Sequence, residues 1–369
     1  MNVLCVDIGT TSLKVGIISE NGEVVSILKK DFIDKTSKFI AEKWLFSLKS
    51  VLVQFEKKLN HHLDICAISI SGNGPTVVSN GGLTLLWNKN YKIQNIQTGN
   101  SLFLPKLIAF KELFKNEYTR SKYLFSGPEY FVYKLTENAI TVLPEARYIN
   151  AYWNEKNLLE QDFGNLKEKL PPFIEIGQKC GELKSEIAKL LNLREKIPVF
   201  CAGPDFIAAL IGTNTLGVGK ICDRSGSSEG INFCVNKQIF HPKIRTLPSV
   251  IPDLWNLSYL IPKSSSFSEN IRLEKIGDGI EILKEIANQN NFIFPQKIHI
   301  TGGQSKNLQF LQKKANFLNL EIAICNCNDA ELVGDACVAF YGMKKFNSLK
   351  EAANSLVKES LILKPKIGC

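Results

Sequence analysis

The chain has 369 residues, 44% hydrophobic and 22% charged, the balance of a soluble globular protein with enough sequence for two cores. No apolar run reaches the length of a membrane span, and the apolar N-terminal stretch is interrupted by Asp7 with no basic segment before it. Neither an anchor nor a secretory leader is therefore expected, and the chain reads as cytoplasmic. The formal charge of +9 comes from lysines set singly or in pairs (Lys29-Lys30, Lys57-Lys58, Lys313-Lys314, Lys344-Lys345), which reads as solvated surface and argues against a nucleic-acid-binding block.

In chain order, residues 2–7, 13–19 and 23–28 predict three short antiparallel strands. A helix is predicted from Ala41 to about Leu59, with Trp44, Leu45, Leu48, Val51, Leu52 and Phe55 on its apolar face. Residues 65–71 form a strand that runs into the turn Gly72-Asn73-Gly74-Pro75, and strands follow at 76–78 and 83–87. Helices are predicted at 105–114, 128–135 and 184–191. At Glu195-Lys196-Ile197-Pro198 the pattern restarts. Strand 199–201 ends in Ala202-Gly203-Pro204-Asp205 before a helix at 206–211, and strands 220–224 and 231–235 flank Ser225-Gly226-Ser227-Ser228-Glu229-Gly230. A helix at 278–287, a strand at 298–301, a helix after Asn307, a strand at 320–325 and a helix at 329–341 complete the series. Two strand–turn–strand units of similar kind suggest two related domains, 1–195 and 196–369.

Ten cysteines sit mostly in apolar, strand-like runs, where a free thiol behaves as a small hydrophobe. With four histidines and no second pair to match Cys325-x-Cys327, a zinc site is not expected. There is no Walker A spacing and no Gly-x-Gly-x-x-Gly after a strand, which disfavours P-loop and Rossmann nucleotide sites.

The first hairpin carries an unusual tip. Asp7 ends one strand, Gly9 lets the backbone approach a ligand closely, and Thr10, Thr11 and Ser12 add hydroxyl donors. Such a turn suits an anion, and Asp7 suits a metal ion that neutralises a polyphosphate; the plain alternative is an ordinary polar hairpin turn. Gly226, Ser227 and Ser228 form a second turn of this kind. Asp205, at a strand-to-helix junction, is either a carboxylate facing a cleft or a helix cap.

Asp7-Ile8-Gly9-Thr10-Thr11-Ser12-Leu13-Lys14 resembles the first phosphate motif of the sugar kinase/Hsp70/actin superfamily, and the surrounding words are similar to those of the FGGY-type carbohydrate kinases, of which this chain would be a short and divergent member. Gly203-Pro204-Asp205 matches that family's Gly-x-Asp, whose aspartate is the general base. Gly302-Gly303-Gln304-Ser305-Lys306-Asn307 resembles its adenosine motif, and Asp329-Ala330-Glu331-Leu332-Val333-Gly334-Asp335-Ala336 its last motif, in which Gly334 would permit close helix packing. The resemblance implies an α/β protein of two RNase H-like (actin-like ATPase) domains with a nucleotide cleft between them, and ATP-dependent phosphorylation of a sugar or polyol hydroxyl. It assigns Asp205 as base, Asp7 to Mg²⁺, and Gly9, Thr10, Thr11, Ser12, Lys14, Gly226, Ser227, Ser228, Gly302, Gly303 and Asn307 to ATP.

The sugar half departs from the pattern. A Trp-x-Asp-x-Arg stretch is represented by Trp87-Asn88-Lys89-Asn90-Tyr91, without its two charges, and Asn73, Lys89 and Glu129 are the candidate substrate contacts. The implied partner is a small sugar or polyol, with no nucleic acid and no membrane, and a homodimer is compatible with the sequence. Two other readings stay open at this point: a kinase-derived nucleotide or sugar sensor, and a superfamily ATPase acting on a protein partner.

Overall fold

The computed structural model describes residues 1–60, 63–89, 91, 101–153, 165–226 and 228–366. The chain divides into two compact units. The first comprises Met1–Glu20, Val24–Ile207 and Val338–Phe346; the second comprises Asn21–Glu23, Ala208–Cys337 and Asn347–Cys369.

In the first unit, β1 (Asn2–Ile8), β2 (Ser12–Ser19) and β3 (Val24–Asp31) form an antiparallel meander. β4 (Ile65–Gly72) lies parallel to β1 on its other side. Short strands β5 (Val77–Ser79), β6 (Thr84–Leu85) and β7 (Leu124–Ser126) make a separate small sheet, and β8 (Thr141–Leu143) pairs with β9 (Phe173–Glu175). β10 (Gly181–Glu182) and β11 (Pro198–Pro204) complete the main sheet in the order β10-β11-β4-β1-β2-β3, with β11 parallel to β4. β1 is almost wholly buried and reads as a continuous apolar run, as a central strand covered on both faces should. Helix Trp44–Leu59 buries the same six apolar residues that its periodicity marks.

The second unit repeats the plan. β12 (Ile221–Ser225) and β13 (Glu229–Val235) form a hairpin, and β14 (Arg245–Pro248) and β15 (Trp255–Ile261) extend the sheet beyond β13. β16 (Lys297–Thr301) and β17 (Glu321–Cys325) lie parallel on the other side of β12, and β18 (Glu359–Leu363) is the edge. The orders β11-β4-β1-β2-β3 and β17-β16-β12-β13-β15 are the same arrangement: a central strand with its own hairpin on one side and two parallel strands on the other. Parallel neighbours need crossovers, and helix Glu269–Gln289 before β16 and helix Leu308–Leu318 before β17 supply them.

Two close helix contacts need glycine. A Cβ on Gly334, in helix Ala330–Gly342, would lie 1.9 Å from the carbonyl oxygen of Ala208, and one on Gly212 would lie 1.8 Å from that of Ala330. The backbones therefore touch where any side chain would part them. Among the described residues, no helix is long and apolar enough to cross a membrane.

The structure departs from the sequence reading in detail. The strand expected at 83–87 is reduced to Thr84–Leu85, and the helix expected at 278–287 extends over Glu269–Gln289. Strands β7 to β10, β14, β15 and β18 and helices Lys115–Arg120 and Leu349–Leu356 are among the additional elements. Lys314, taken with Lys313 as solvated surface, is buried, because Phe310, Leu311, Lys314, Ala315 and Leu318 share one helical face turned to the core.

Candidate functional site

In the first unit, the carboxyl ends of three neighbouring parallel strands collect the residues of interest. Register pairs Ile8 with Gly72 and Gly72 with Pro204, so the turn after β1, Asn73 after β4 and Asp205 after β11 lie along one edge of the sheet. Adjacent strands are about 4.8 Å apart, so the two outer members of this row are separated by about 10 Å at the backbone. Such an edge is where open α/β sheets bind ligands.

The first hairpin is tight: the Gly9 amide donates to the Ser12 carbonyl at 2.9 Å, and a Cβ on Gly9 would meet that oxygen at 3.0 Å. Asp7 is buried at the end of β1 and pairs in register with Lys14 on β2; the Lys14 ammonium lies 3.3 Å from the Asp7 carboxylate. Ser12 is buried, Thr11 exposed and Thr10 half-buried. The Thr10 hydroxyl accepts from Asn73 Nδ2 at 3.2 Å and from the Trp87 indole N–H at 2.9 Å.

Asn73 is buried, and its backbone amide donates along the sheet edge to the Ile8 carbonyl at 2.8 Å. Asp205 is the half-buried first residue of helix Asp205–Gly212. The strand before it is bulged between Cys201 and Gly203, and Gly203 has φ of +76°, a conformation that costs any side-chain-bearing residue about 1–2 kcal/mol. A bulge of this kind re-aims the residues beyond it.

The other two substrate candidates are placed differently. Glu129 is 1% exposed and completes a capping box with Ser126 at the start of helix Gly127–Thr136. One of its oxygens accepts from the Ser126 amide at 3.3 Å and the other from the Val142 amide at 2.7 Å, so its carboxylate is held by backbone. Burial pushes its carboxyl up to about 7. Lys89 is exposed, and its carbonyl accepts from the Lys106 ammonium at 3.1 Å. Lys106 is buried, sits 4.2 Å from the Tyr91 ring centre and is pushed down to about 8 by desolvation.

In the second unit, Arg224 pairs with Thr301 on the parallel strands β12 and β16, so Gly226 and Gly302 leave the sheet side by side. Gly302 has φ of +93°, and a Cβ there would lie 2.6 Å from the Ser225 carbonyl; Gly303 has open space around it. Asn307 caps helix Leu308–Leu318 by accepting from the Phe310 amide at 3.1 Å. The Gly226 amide donates to the Ser228 carbonyl at 3.1 Å. Ser227 lies outside the described residues.

Beneath this hairpin is a charge cluster that the sequence reading missed. The Lys314 ammonium donates to Asp223 at 2.5 Å and to Glu229 at 2.7 Å, and Arg272 donates to Glu229 at 2.7 Å and to the Ser225 hydroxyl at 2.9 Å. All four charged residues are at most 4% exposed. Burial and the neighbouring Glu229 charge push Asp223 up to about 7, whereas the two cations hold Glu229 down at about 2 despite its burial. A signal was present: Asp223, Arg224 and Glu229 interrupt otherwise apolar strand runs.

The description "FGGY family of carbohydrate kinases, C-terminal domain" matches residues 278–343, which include β16, the Gly302 turn and helix Ala330–Gly342. Over that segment the chain is similar to the FGGY carbohydrate kinases. It is 27% identical to a xylulose kinase of Lactococcus lactis over 278 residues, an alignment covering 66% of this chain and 54% of that protein. It is 22% identical to a xylulose kinase of Staphylococcus xylosus over 96% of this chain and 94% of the relative. Among solved structures, the Plasmodium falciparum glycerol kinase with ADP superposes with a TM-score of 0.78 at 15% identity, covering 99% of this chain and 94% of that one. The fold of this chain is accordingly that of these two-domain kinases.

Proposed function

We propose that the chain transfers the terminal phosphoryl group of ATP to a hydroxyl of a sugar or polyol. The observation that carries this reading is the row along the carboxyl edge of β1, β4 and β11: a hydroxyl-bearing turn, a buried amide and a half-buried carboxylate on three adjacent strands. Phosphoryl transfer requires a phosphate cradle, charge neutralisation and a group to take the proton of the attacking hydroxyl. Asp205 is assigned as that base, by its resemblance to the aspartate of the Gly-x-Asp motif. The bulge and Gly203 orient it, and a carboxylate accepts the alcohol proton as the oxygen attacks.

Gly9, Thr10, Thr11 and Ser12 are assigned to the phosphates, with Lys14 as a further cation. Gly226, Ser227 and Ser228 are assigned to a second cradle, and Gly302 and Gly303 leave room for the flat adenine, with Asn307 opening the helix behind them. A single buried carboxylate beside a phosphate turn fits Mg²⁺, which keeps most of its waters and binds through one carboxylate plus substrate phosphates; Asp7 is that group. Mg²⁺ bound with ATP would neutralise charge on the phosphates. Asn73 and Lys89 remain the acceptor-side candidates, whereas Glu129 serves the backbone.

The names of the relatives suggest D-xylulose and glycerol as acceptors to test, and D-gluconate adds a sugar acid. ADP release is measured with D-xylulose, glycerol and D-gluconate, each against a no-acceptor control. Asp205→Asn should abolish acceptor-stimulated release while leaving ATP affinity within about threefold, because the carboxylate is needed only for the proton. An equal fall in nucleotide affinity would make Asp205 structural. Acceptor-independent turnover would favour the ATPase reading, and binding without turnover the sensor.

A further inference from the structure

We infer that Trp87 and Asn73 are positioning residues that hold the Thr10 hydroxyl as a dedicated donor toward the phosphoryl group in transfer. The inference rests on the reading of the first hairpin as a phosphate turn.

The polarity of the hydrogen-bond circuit carries the argument. A backbone N–H and an indole N–H can only donate, so the direction is set at both ends of Trp87. The Trp87 amide donates to the Thr76 hydroxyl at 3.1 Å, and that hydroxyl passes its own proton to Asn73 Oδ1 at 2.8 Å. The Asn73 amide is thereby turned with Nδ2 toward Thr10, to which it donates at 3.2 Å. The Trp87 indole donates to the same Thr10 oxygen at 2.9 Å, closing the circuit. A hydroxyl has two acceptor lone pairs and one proton. Both lone pairs of Thr10 are filled, so the only hydrogen bond left to it is one in which it donates.

Among the described residues, the Thr11 and Ser12 hydroxyls have no comparable bracing from the acceptor side. A lone threonine hydroxyl in a polar turn rotates among donating and accepting arrangements; this one is committed before any ligand arrives. Preorganised donors of this kind stabilise developing charge without reorganisation at the moment of reaction. Trp87 also lies in the segment that, by resemblance, stands near the acceptor, and at 41% exposure its ring is open to a ligand. Its indole thus links the acceptor side to the phosphate turn through one bond.

The test is a double-mutant cycle in the full chain. Trp87→Phe keeps a ring and removes only the indole donor; at an exposed position it should fold. Asn73→Asp keeps the oxygen that Thr76 needs and removes the Nδ2 donor, and Thr10→Val removes the hydroxyl. With Mg·ATP and whichever of D-xylulose, glycerol or D-gluconate supports turnover, Trp87→Phe should lower kcat about tenfold with little change in acceptor KM. The Thr10→Val/Trp87→Phe double variant should be no slower than Thr10→Val alone, since both changes remove one interaction. Binding of the non-hydrolysable analogue AMP-PNP, followed by calorimetry, should show the same non-additivity without any turnover. Asn73→Asp should follow Trp87→Phe in the AMP-PNP readout, in which no acceptor takes part.

Additive effects in the cycle, or a raised acceptor KM at unchanged kcat, would overturn the inference and leave the kinase reading intact. A wild-type chain that turns over none of the acceptors and does not bind AMP-PNP would overturn the kinase reading itself, and the inference with it.

Discussion

Removing the ammonium of Lys314 should be among the most damaging single changes available in the second unit. The side chain is 1% exposed and donates to two buried carboxylates. In Lys314→Met the stem is replaced and the charge is not, so Glu229 keeps Arg272 and the Ser225 hydroxyl while Asp223 loses its cation. Breaking a buried ion pair from one side costs about 3–5 kcal/mol. For a unit of roughly 150–250 residues each kcal/mol lowers Tm by about 2–4 °C, so a fall of about 6–20 °C is expected.

The pH dependence gives this estimate a second, independent handle. Burial and the Glu229 charge push Asp223 up to about 7 in the native protein, above its unfolded value, so its favourable contribution is complete below about pH 4 and is lost as pH rises to about 7. Above that the native curve flattens, because the Asp223 anion then has Lys314. The variant lacks that cation, its Asp223 stays protonated to higher pH, and its stability should keep falling by about 1.4 kcal/mol per pH unit. The penalty of Lys314→Met should therefore be larger at pH 8 than at pH 6. Urea or thermal unfolding at both pH values measures this, with Asp223→Asn as the control that removes the slope between pH 4 and 7. A variant within about 2 °C of the native Tm at pH 8, with no widening from pH 6, would refute the reasoning.

Glu129→Gln replaces one of two backbone-accepting oxygens by a donor facing an N–H, and should lower stability by about 1–3 kcal/mol in urea unfolding while leaving acceptor KM within about twofold. Gly334→Ala places a methyl 1.9 Å from the Ala208 carbonyl and should force two helices apart, lowering stability by about 1–3 kcal/mol or more. Lys106 is pushed down to about 8, below its unfolded value, so the unfolded chain holds the extra proton between about pH 8 and 10. Native stability should rise over that interval relative to Lys106→Met, read as the difference between their unfolding curves.

Hydrophobic periodicity and turn chemistry were enough to mark the central strands, helix Trp44–Leu59 with its buried face, the Gly9 and Gly226 turns, and the cap at Asn307. These are local properties: a period, a glycine, a side-chain oxygen three residues before an amide. Close helix packing at Gly334 was implied by the resemblance, although its partner, the Ala208 carbonyl, was not.

Long-range partnership was settled only by the fold. Lys314 reads as one of a surface pair until helix Leu308–Leu318 is laid against β12 and β13, with Asp223 and Glu229 91 and 85 residues away in the chain. Glu129 reads as an acidic side chain available to substrate until β8 brings the Val142 amide to it. Trp87 and Thr10 are 77 residues apart, and no pattern in either neighbourhood shows that an indole N–H completes the donor set of a threonine oxygen. Sequence encodes which residues are apolar, cyclic, small or charged at each position. Which polar atom meets which depends on strand register and helix packing, because a hydrogen bond needs its partner within about 3 Å and composition carries no such distance.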